Sequence, residues 1–423
     1  MSGILFDRAR SGPDPPWCTV GDLVREAAER SGGQEFLRFR GASLTFAAVH
    51  ETSNRLAHVL VAHGIRPGDR VAIMLGNVPD WPLCWFAVLK AGAIAVPVNA
   101  RYRESDLRFV LADSGAVLVL TSVEHAGLVR AAGAAVGTVR EVWTVTELAG
   151  ELAGAPPGDL TAVQEPAALA NFQYTSGTTG FPKACMLSHG YWLRTGWLTA
   201  IEAELRADDV MLIAQAFSYM DPQWASVMCL MGGRPLVVLP RFSASGFWTS
   251  AREHGATLTY VLGAMPMLMW AQPPRRLDRD NSVRLVLCSG IVPDLHRRFE
   301  ELALAHPGRR RQREGLDELQ VGGHLERRQL GPGMVQQTDR GLLIRRVAGR
   351  ELDERLRQLT KQLVGDGHQR RRGDRRMQGQ HMLHLSRGDV LPAPPDHVGQ
   401  SSRVVDPAVG VAEPEVAGVV PTA

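Results

Sequence analysis

Apolar and polar positions along the first 305 residues follow two alternating patterns, and each pattern predicts a different element. Residues 45–63 carry apolar side chains every three or four positions, which is the period of an amphipathic helix, and Gly64 ends it. Short apolar runs of strand length lie between similar helical stretches. These runs predict strands at residues 70–75, 94–98, 116–120, 210–214, 234–240, 256–262 and 283–288.

Apolar strands that alternate with helices predict parallel sheets covered by helices on both faces, and therefore an α/β fold. Residues 124–170 interrupt the pattern because they are richer in Ala, Gly and Pro, and we expect them to form a connection. The longest apolar stretch, residues 82–98, contains Lys90, Gly92 and two prolines, so we do not expect it to span a membrane. No membrane partner is predicted.

Composition narrows the class of protein. A length of 423 residues predicts two or more domains, and 45% hydrophobic with 22% charged residues is typical of a globular protein with a sizeable core. The five cysteines are scattered without CxxC spacing, which indicates reduced thiols and no zinc cluster. The first residues include acids and prolines where a secretory signal needs an apolar run. We therefore expect a cytoplasmic protein.

The segment YTSGTTGFPKACMLSHG, residues 174–190, carries the first candidate chemistry. Backbone amides hold an anion well when they point into one concavity, a geometry that favours residues without a Cβ, such as Gly177 and Gly180. Neighbouring hydroxyls add donors and Lys183 adds a cation, which predicts a phosphate-binding loop. Its glycine-to-lysine spacing differs from that of the GxxxxGK[ST] nucleotide loop. The alternative is a polar turn between a strand and a helix.

This loop resembles the phosphate loop of the adenylate-forming enzymes, which include acyl-CoA synthetases, luciferases and the adenylation domains of peptide synthetases. The resemblance covers residues 15–305, and residues 43–121, from SLTFAAVHETSNRLAHVL to FVLADSGAVLVLT, follow the N-terminal pattern of that family. FWTSAREHGATLTYVLGAMPMLMWAQPP is similar to the branch of crotonobetaine/carnitine-CoA ligases. It implies that residues 1–307 form the large N-terminal domain of the family, with parallel sheets covered by helices.

The resemblance implies an ATP-dependent acid-CoA ligase that acts on a small-molecule carboxylic acid, and it does not identify the acid. Attack of the carboxylate on the α-phosphate of ATP forms an acyl-adenylate, and coenzyme A then displaces AMP. Mg²⁺ accompanies ATP without a predicted protein ligand, and Lys183 and Thr178 are the catalytic candidates because negative charge concentrates at the phosphates. The residues implied to hold the β- and γ-phosphates are Thr175, Ser176, Gly177, Thr178, Thr179, Gly180 and Lys183.

AFSYMDPQW, residues 216–224, is a candidate for the acid pocket. Many members of the family have a Phe-His pair at this place, and here Ser218 follows Phe217 instead of histidine. The resemblance implies that Phe217, Tyr219 and Trp224 line the pocket. The alternative is that these aromatic side chains belong to the core.

CSGIVPDL, residues 288–295, lies where the family has a glycine-rich turn beside the adenine. The resemblance implies that Ser289 and Gly290 contact the nucleotide, and the alternative is an ordinary strand-to-helix turn. We expect structural roles for His189 and Cys185. A single histidine near a helix start usually satisfies a backbone group, and buried cysteine behaves as a small hydrophobic residue.

Residues 308–423 do not continue the pattern. All 26 Phe, Trp and Tyr lie at or before Phe299, and this tail holds 20 Lys and Arg, 19 of them Arg, against 15 acidic residues. The Tyr-Gly-x-Thr-Glu motif of the family is missing because no tyrosine follows Tyr260, and so is the small C-terminal domain with its second lysine. The leucine spacing in residues 350–364 predicts an amphipathic helix. The rest of the tail has a composition typical of disorder.

A reading-frame change in a GC-rich gene, a fusion and a divergent tail all explain this break. Translation of the other two frames tests the first explanation, which fails if neither restores the missing motif soon after residue 300. For function, the chain is either a ligase impaired by the missing motifs or a non-catalytic nucleotide-binding remnant. Binding of nucleic acid through Arg309–Arg311 and Arg370–Arg376 is a third hypothesis. We do not expect it, because the tail has no aromatic residue to stack on bases. No oligomeric state is predicted.

Overall fold

The computed structural model describes residues 5–6, 14–160, 165–175, 182–275, 278 and 280–289, and the backbone of residues 335–337. The described helices are α1 (Val20–Ser31), α2 (Phe46–Ala62), α3 (Asp80–Lys90), α4 (Glu104–Ser114), α5 (Val123–Val136), α6 (Val145–Leu152), α7 (His189–Glu202), α8 (Met220–Gly232), α9 (Phe247–Glu253) and α10 (Met265–Trp270). The described strands are β1 (Glu35–Phe39), β2 (Ala42–Thr45), β3 (Arg70–Met74), β4 (Ile94–Pro97), β5 (Leu118–Thr121), β6 (Glu141–Thr144), β7 (Leu169–Thr175), β8 (Lys183–Ser188), β9 (Met211–Ile213), β10 (Leu236–Val238), β11 (Leu258–Leu262), β12 (Leu285–Ser289) and β13 (Val335–Gln337).

The strands form two mainly parallel sheets. One has six strands in the order β6-β5-β3-β4-β7-β8, and the other has seven in the order β13-β12-β11-β9-β10-β1-β2. Within them, the β7–β8 and β1–β2 pairs are antiparallel and the other described pairs are parallel. The predicted α/β fold with helix-covered parallel sheets is therefore confirmed.

Alternating side chains of single strands show how the layers stack. Along β3, Val71 and Ile73 face a central core that also takes in α1, α2, α3, α7 and α8. Ala72 and Met74 face the opposite way, into a second core under α4 and α5. In the other sheet, Leu212 of β9 faces a third core under α9 and α10. Each sheet is thus buried on both faces, which explains why its strands read as continuous apolar runs.

Helix α2 matches its prediction. The Thr45 hydroxyl accepts a hydrogen bond from the amide of Ala48 at 3.1 Å and so caps the start of the helix. Gly64 follows the last turn with a φ of 81°, in the left-handed region that glycine tolerates.

The prediction that residues 124–170 form a connection was wrong. The structure places α5, β6 and α6 in this range, followed by the start of β7. The small residues of α5 pack closely: a Cβ at Gly133 would lie 3.2 Å from Cγ1 of Val139. Alanine and glycine were thus read as signs of a loop, although here they allow a helix to approach its neighbours.

A half-buried lysine joins α2 to α3. Nζ of Lys90 donates to Oδ1 of Asn54 at 2.6 Å and to Oγ of Ser53 at 2.8 Å, and it lies 3.1 Å from Nδ1 of His50. Burial lowers the pKa of Lys90 to about 7, although Asp159 attracts the charged form. Burial also lowers the pKa of His50 to about 4, and the charge of Lys90 adds to this effect.

In the part of the chain that the structure describes, no helix is long and apolar enough to cross a membrane. The backbone of β13 is the described part of residues 308–423, and it pairs in parallel with β12, with Val335 opposite Val286. The helix predicted near residues 350–364 and the domain boundary predicted at residue 307 lie outside the described residues.

Candidate functional site

The predicted phosphate loop connects two antiparallel strands. Thr175 ends β7, Lys183 begins β8, and the two residues are direct cross-strand partners. Oγ1 of Thr175 lies 3.5 Å from the carbonyl oxygen of Lys183 and donates to it. The segment therefore lies between two strands, so the alternative was wrong in placing a helix directly after it. A phosphate-binding loop and an ordinary polar turn both remain predictions. The predicted ligands Ser176, Gly177, Thr178, Thr179 and Gly180 lie outside the described residues.

The two faces of β7 differ in polarity. Phe172 and Tyr174 pack against the core under α4 and α5, and the Tyr174 hydroxyl donates to Asp113 at 2.6 Å. Asn171, Gln173 and Thr175 occupy the other face because alternate residues of a strand share a face. Asn171 and Gln173 are buried, whereas Thr175 is exposed. A row of polar side chains thus leads from the interior to the rim where Lys183 begins β8.

Side-chain amides hold residues 217–219 against this polar face. Nε2 of Gln173 donates to the carbonyl of Ser218 at 2.7 Å. Nε2 of Gln223 donates to the carbonyls of Phe217 at 2.9 Å and Tyr219 at 3.1 Å. Three successive carbonyls are therefore bound by two glutamine side chains.

Two further hydrogen bonds hold the side chain of Gln223 in place. Oε1 of Gln223 accepts from Nδ2 of Asn171 at 2.7 Å, and Oδ1 of Asn171 accepts from the indole of Trp85 at 2.9 Å. All of these side chains are buried. A buried polar group that is fully paired favours one arrangement, because any shift leaves a partner unsatisfied.

Two further amides connect the segment to the seven-stranded sheet. Oδ1 of Asn77, just after β3, accepts from the amide of Phe217 at 3.0 Å, and its Nδ2 donates to the carbonyls of Gln215 and Leu239. Nε2 of Gln215 donates to the carbonyl of Tyr260 at 2.7 Å. We call these residues the amide clamp: Asn77, Asn171, Gln173, Gln215 and Gln223.

The three predicted pocket residues occupy different environments. Phe217 is 1% exposed and stacks on Trp81 with ring centroids 5.0 Å apart. Trp224 is buried and meets Tyr260 edge-on at 5.2 Å. Tyr219 precedes α8 and is 53% exposed. Tyr219 is therefore the member of this set that is open to solvent beside the rim.

A neighbouring loop approaches Tyr219. Nδ2 of Asn99, just after β4, lies 3.5 Å from the Tyr219 hydroxyl. Oδ1 of the same amide accepts from the backbone of Arg101 at 2.9 Å, which fixes its orientation. Burial raises the pKa of Tyr102, and the nearby phenol of Tyr219 adds to this effect. The phenol of Tyr219 thus meets groups that follow β4.

The predicted nucleotide contact lies at the end of β12. Ser289 is the last residue of that strand, opposite Leu262 of β11, and its carbonyl accepts from the amide of Gly263 at 3.2 Å. Gly290 lies outside the described residues. Ser289 therefore occupies the carboxyl end of a parallel strand, where α/β sheets usually bind ligands.

His189 has the structural contact that we expected. It is completely buried, and its Nδ1 accepts from the backbone amide of Val20 at 3.3 Å. Burial lowers the pKa of His189 to about 4, opposed by the charge of Asp22. Cys185 is half-buried on β8, opposite Gln173. All five cysteines are free thiols in the structure.

The residues of the amide clamp were missed in the sequence. Their signal is a polar amide inside an apolar run, such as Gln173 in ALANFQYT and Gln215 after the apolar residues of β9. Such a residue in a buried strand needs a partner, so its presence indicates a buried hydrogen-bond network. The sequence does not show which partner each amide takes.

Two helix-covered parallel sheets define an α/β domain, and sheets of this kind usually bind ligands at the carboxyl ends of their strands. The sequence profile of the AMP-binding enzymes matches residues 24–306, and the chain belongs to this family.

Curated relatives in the family are CoA ligases. The chain is 31% identical over 287 residues to medium/long-chain-fatty-acid–CoA ligase FadD6 of Mycobacterium tuberculosis, which covers 66% of this chain and 48% of that protein. It is 31% identical over 262 residues to crotonobetaine/carnitine–CoA ligase of Escherichia coli O139:H28, covering 57% of this chain and 50% of that one. The chain thus spans about half the length of these relatives.

Solved structures agree with the fold. The inhibitor-bound N-terminal domain of FACL13 from Mycobacterium tuberculosis matches with a TM-score of 0.62 at 25% identity, over 66% of this chain and 72% of that one. FadD1 of Archaeoglobus fulgidus, a long-chain-fatty-acid–CoA ligase, matches with a TM-score of 0.63 at 19% identity, over 68% and 61%. The second comparison supports the fold alone.

Proposed function

We propose that this chain binds Mg-ATP at the loop between β7 and β8 and activates a carboxylic acid for transfer to coenzyme A. The observation that carries the proposal is the pairing of Thr175 with Lys183 at the rim of that loop, in a chain of the AMP-binding family. A lysine at the first position of a strand has its backbone held by the sheet. The sheet therefore fixes the point from which the lysine side chain extends, and so the region at the rim that its ammonium group can reach.

In the first step, a carboxylate oxygen attacks the α-phosphorus of ATP and pyrophosphate leaves. The acyl-adenylate is electrophilic because the negative charge of the carboxylate is gone. In the second step, the thiolate of coenzyme A attacks the acyl carbonyl and AMP leaves. Both steps depend mainly on position and on stabilisation of phosphate charge.

The residues take the following roles in this proposal. Lys183 and Thr178 stabilise the phosphates during the first step, together with hydroxyls and amides of residues 175–180. Ser289 and Gly290 lie beside the nucleotide, and the segment 217–224 forms the wall of the acid site. Mg²⁺ arrives bound to the phosphates of ATP, and we assign it no protein ligand.

We propose that this chain binds nucleotide weakly and that its overall reaction is slow. In the resemblance to the family, the adenine-stacking tyrosine and the metal-placing acid belong to a motif that would follow residue 307, and no tyrosine follows Tyr260. Loss of one charge-stabilising donor costs about 10²–10³ in rate. Because such groups act together, we expect thioester formation to be at least about a thousandfold slower than in an intact relative.

ATP–pyrophosphate exchange with a panel of acids tests the proposal, because it reports the first step without coenzyme A. The panel includes medium-chain fatty acids, crotonobetaine and carnitine, in line with the names of the relatives. Acid-dependent exchange supports adenylation. Robust synthesis of acyl-CoA by the purified chain would contradict the expected impairment.

A non-catalytic nucleotide-binding protein is the second candidate function. The missing motifs after Tyr260 favour it, because they remove groups of the reaction while leaving the phosphate loop in place. This candidate predicts binding of Mg-ATP by calorimetry without acid-dependent exchange. Exchange with any acid excludes it.

A further inference from the structure

The strand pair that leads to the proposed phosphate loop extends past its pairing with the rest of the sheet. Strand β8 is the last in the order of the six-stranded sheet, so the other neighbour of β7 is β4. The described register joins β4 to β7 through the pair Ala95–Asn171. Beyond Asn171, residues 172–175 of β7 pair with residues 183–186 of β8, and we call these two stretches the loop ribbon. Two strands on their own are marginally stable, so the position of the loop ribbon depends on its side chains.

Side chains of the loop ribbon are bound on both of its faces. On one face, Nε2 of Gln173 donates to the carbonyl of Ser218 at 2.7 Å. The next residue points the opposite way, as successive residues of a strand do. Its ring packs on the core under α4 and α5, and the Tyr174 hydroxyl donates to Oδ2 of Asp113 in α4 at 2.6 Å. Because Thr175 follows at the exposed rim, the Tyr174–Asp113 bond holds the strand one residue before the rim.

The bond between Tyr174 and Asp113 is of the strong kind. Its length lies in the range of about 2.5–2.7 Å that is typical of a hydroxyl bound to a carboxylate. Both residues are half-buried, so solvent competes weakly for the two groups. Burial raises the pKa of Tyr174, and the hydrogen bond to Asp113 adds to this effect, so the phenol keeps its proton and remains a donor. A hydrogen bond to a charged group contributes more than a neutral one.

We propose that Tyr174 is a positioning residue, which through its hydrogen bond to Asp113 holds the loop ribbon on α4 and so places the rim for phosphate binding. The inference rests on the proposed function, and it adds a pair of residues on the face of β7 opposite to Gln173. Tyr174 acts through the backbone of the loop ribbon: Thr175 is the next residue, and Ala184, which is paired with Tyr174, follows Lys183.

The energetic basis is the population of the binding-competent arrangement. The apparent affinity for a ligand falls by the fraction of molecules in which the site is correctly placed. With the Tyr174–Asp113 bond, one position of the loop ribbon against α4 is favoured. Without it, the loop ribbon occupies several positions, and only some of them bring Thr175 and Lys183 to the phosphates. The affinity for Mg-ATP is therefore expected to fall.

Tyr174→Phe tests the inference, because it keeps the ring and its packing and removes only the hydrogen bond. Calorimetry on the full chain should give a Kd for Mg-ATP that is about fivefold or more above that of wild type. Amide hydrogen exchange without nucleotide gives a second readout. Peptides that cover residues 172–175 and 183–186 should exchange faster in the variant, whereas those of β3 and β5 should exchange as in wild type.

Variants of the partner show whether the hydrogen bond is responsible. Asp113→Asn keeps an oxygen that accepts from the phenol, so its affinity for Mg-ATP should stay within about threefold of wild type. Asp113→Ala removes the acceptor and should match Tyr174→Phe. The double variant Tyr174→Phe/Asp113→Ala should bind no more weakly than either single variant, because both changes remove the same bond. Losses that add in the double variant would contradict the proposal.

Thr121→Val is the control for a loss of stability away from the loop ribbon. Thr121 ends β5 in the same sheet, and its completely buried hydroxyl donates to the carbonyl of Met74 at 3.0 Å. This variant should melt at a lower temperature but bind Mg-ATP within about twofold of wild type. If Thr121→Val weakens binding as much as Tyr174→Phe does, affinity follows overall stability and the positioning role is refuted.

The possible failures are distinguishable. If the wild-type chain does not bind Mg-ATP, the proposed function itself is wrong and the inference falls with it. If wild type binds and Tyr174→Phe binds equally well, the proposed function stands and the role of Tyr174 is refuted. A lower affinity without faster hydrogen exchange in the loop ribbon also refutes that role, because the hydroxyl then does not act by holding the two strands.

Discussion

Thr175 and Lys183 are opposite each other at the loop end of the β7–β8 pair, with the Thr175 hydroxyl 3.5 Å from the Lys183 carbonyl. The lysine is thus placed by a strand pair, and residues 176–182 connect the two strands. Its backbone position depends on the register of the sheet, which is set by the buried face of β7.

Replacement of Lys183 by alanine should weaken Mg-ATP binding by about 10- to 100-fold, because it removes a charge-assisted contact worth about 1.5–3 kcal/mol. The fold should persist, since the side chain lies at the rim and is only half-buried. Calorimetry at low salt measures the affinity. The chain has three lysines, and Lys361→Ala is the control for loss of one positive charge. Equal affinity in Lys183→Ala and wild type would remove the phosphate assignment.

Replacement of Gln223 by leucine should destabilise the protein by about 2–4 kcal/mol. The glutamine side chain serves two main-chain carbonyls of residues 217–219 and two clamp amides, and leucine leaves all four without their partner. Urea denaturation gives the free energy of unfolding. Gln272→Leu is the control, because the Gln272 side chain binds one carbonyl at an exposed position. We expect that variant to stay within about 0.5 kcal/mol of wild type.

Acid should destabilise the fold through His189 and His50. Both have a pKa lowered from 6.5 to about 4 by burial, so the unfolded chain takes up these protons at a higher pH than the folded chain. Stability is therefore lost as the pH falls from about 6.5 to about 4, and His189 accounts for about 3 kcal/mol of the loss.

Urea titrations at pH 7, 6, 5 and 4 test this dependence. In His189→Asn, whose amide oxygen can accept from Val20 in place of Nδ1, the loss of stability between pH 6.5 and 4 should be smaller than in wild type. His50→Asn should reduce it separately, and the double variant should reduce it further. A double variant with the full wild-type slope would contradict the assignment.

The lowered pKa of Lys90 predicts that the stability of the fold changes above pH 7. Its pKa of about 7 lies below the ordinary 10.5, so between these values the unfolded chain holds a proton that the folded chain has released. Stability should therefore rise by about 1–2 kcal/mol from pH 7 to 8.5. In Lys90→Met this rise should vanish. The charged groups that act on Lys90 are Arg25 and Asp159, and His50 lies beside it; a rise that persists in Lys90→Met would assign the effect to other groups.

Local patterns predicted the elements well where one physical signal dominated. Strand β3 and helix α2 were found because a doubly covered strand is apolar throughout and a capped helix keeps its period. Helix α5 was missed because its small residues, such as Gly133, serve packing against Val139, a contact that local composition does not show.

The candidate site was predictable in part. The segment 174–190 predicted Lys183 in a loop that follows an apolar stretch, whereas strand β8, which Lys183 begins, was not predicted. The clamp was not predictable, since Asn171 and Gln223 are 52 positions apart and come together only because α8 packs against β7. Long-range partners of this kind depend on tertiary packing.

The five side chains of the amide clamp are all neutral amides, and none of them gains or loses a proton over the pH range in which proteins fold. The hydrogen bonds that hold residues 217–219 beside the rim therefore do not depend on the protonation of His50, Lys90 or His189. Acid and base change the fraction of molecules that is folded, but residues 217–219 keep the same hydrogen bonds in every folded molecule. The pH profile of carboxylic-acid adenylation should then have two components. One follows the folded fraction, and the other reflects the titration of the reacting groups.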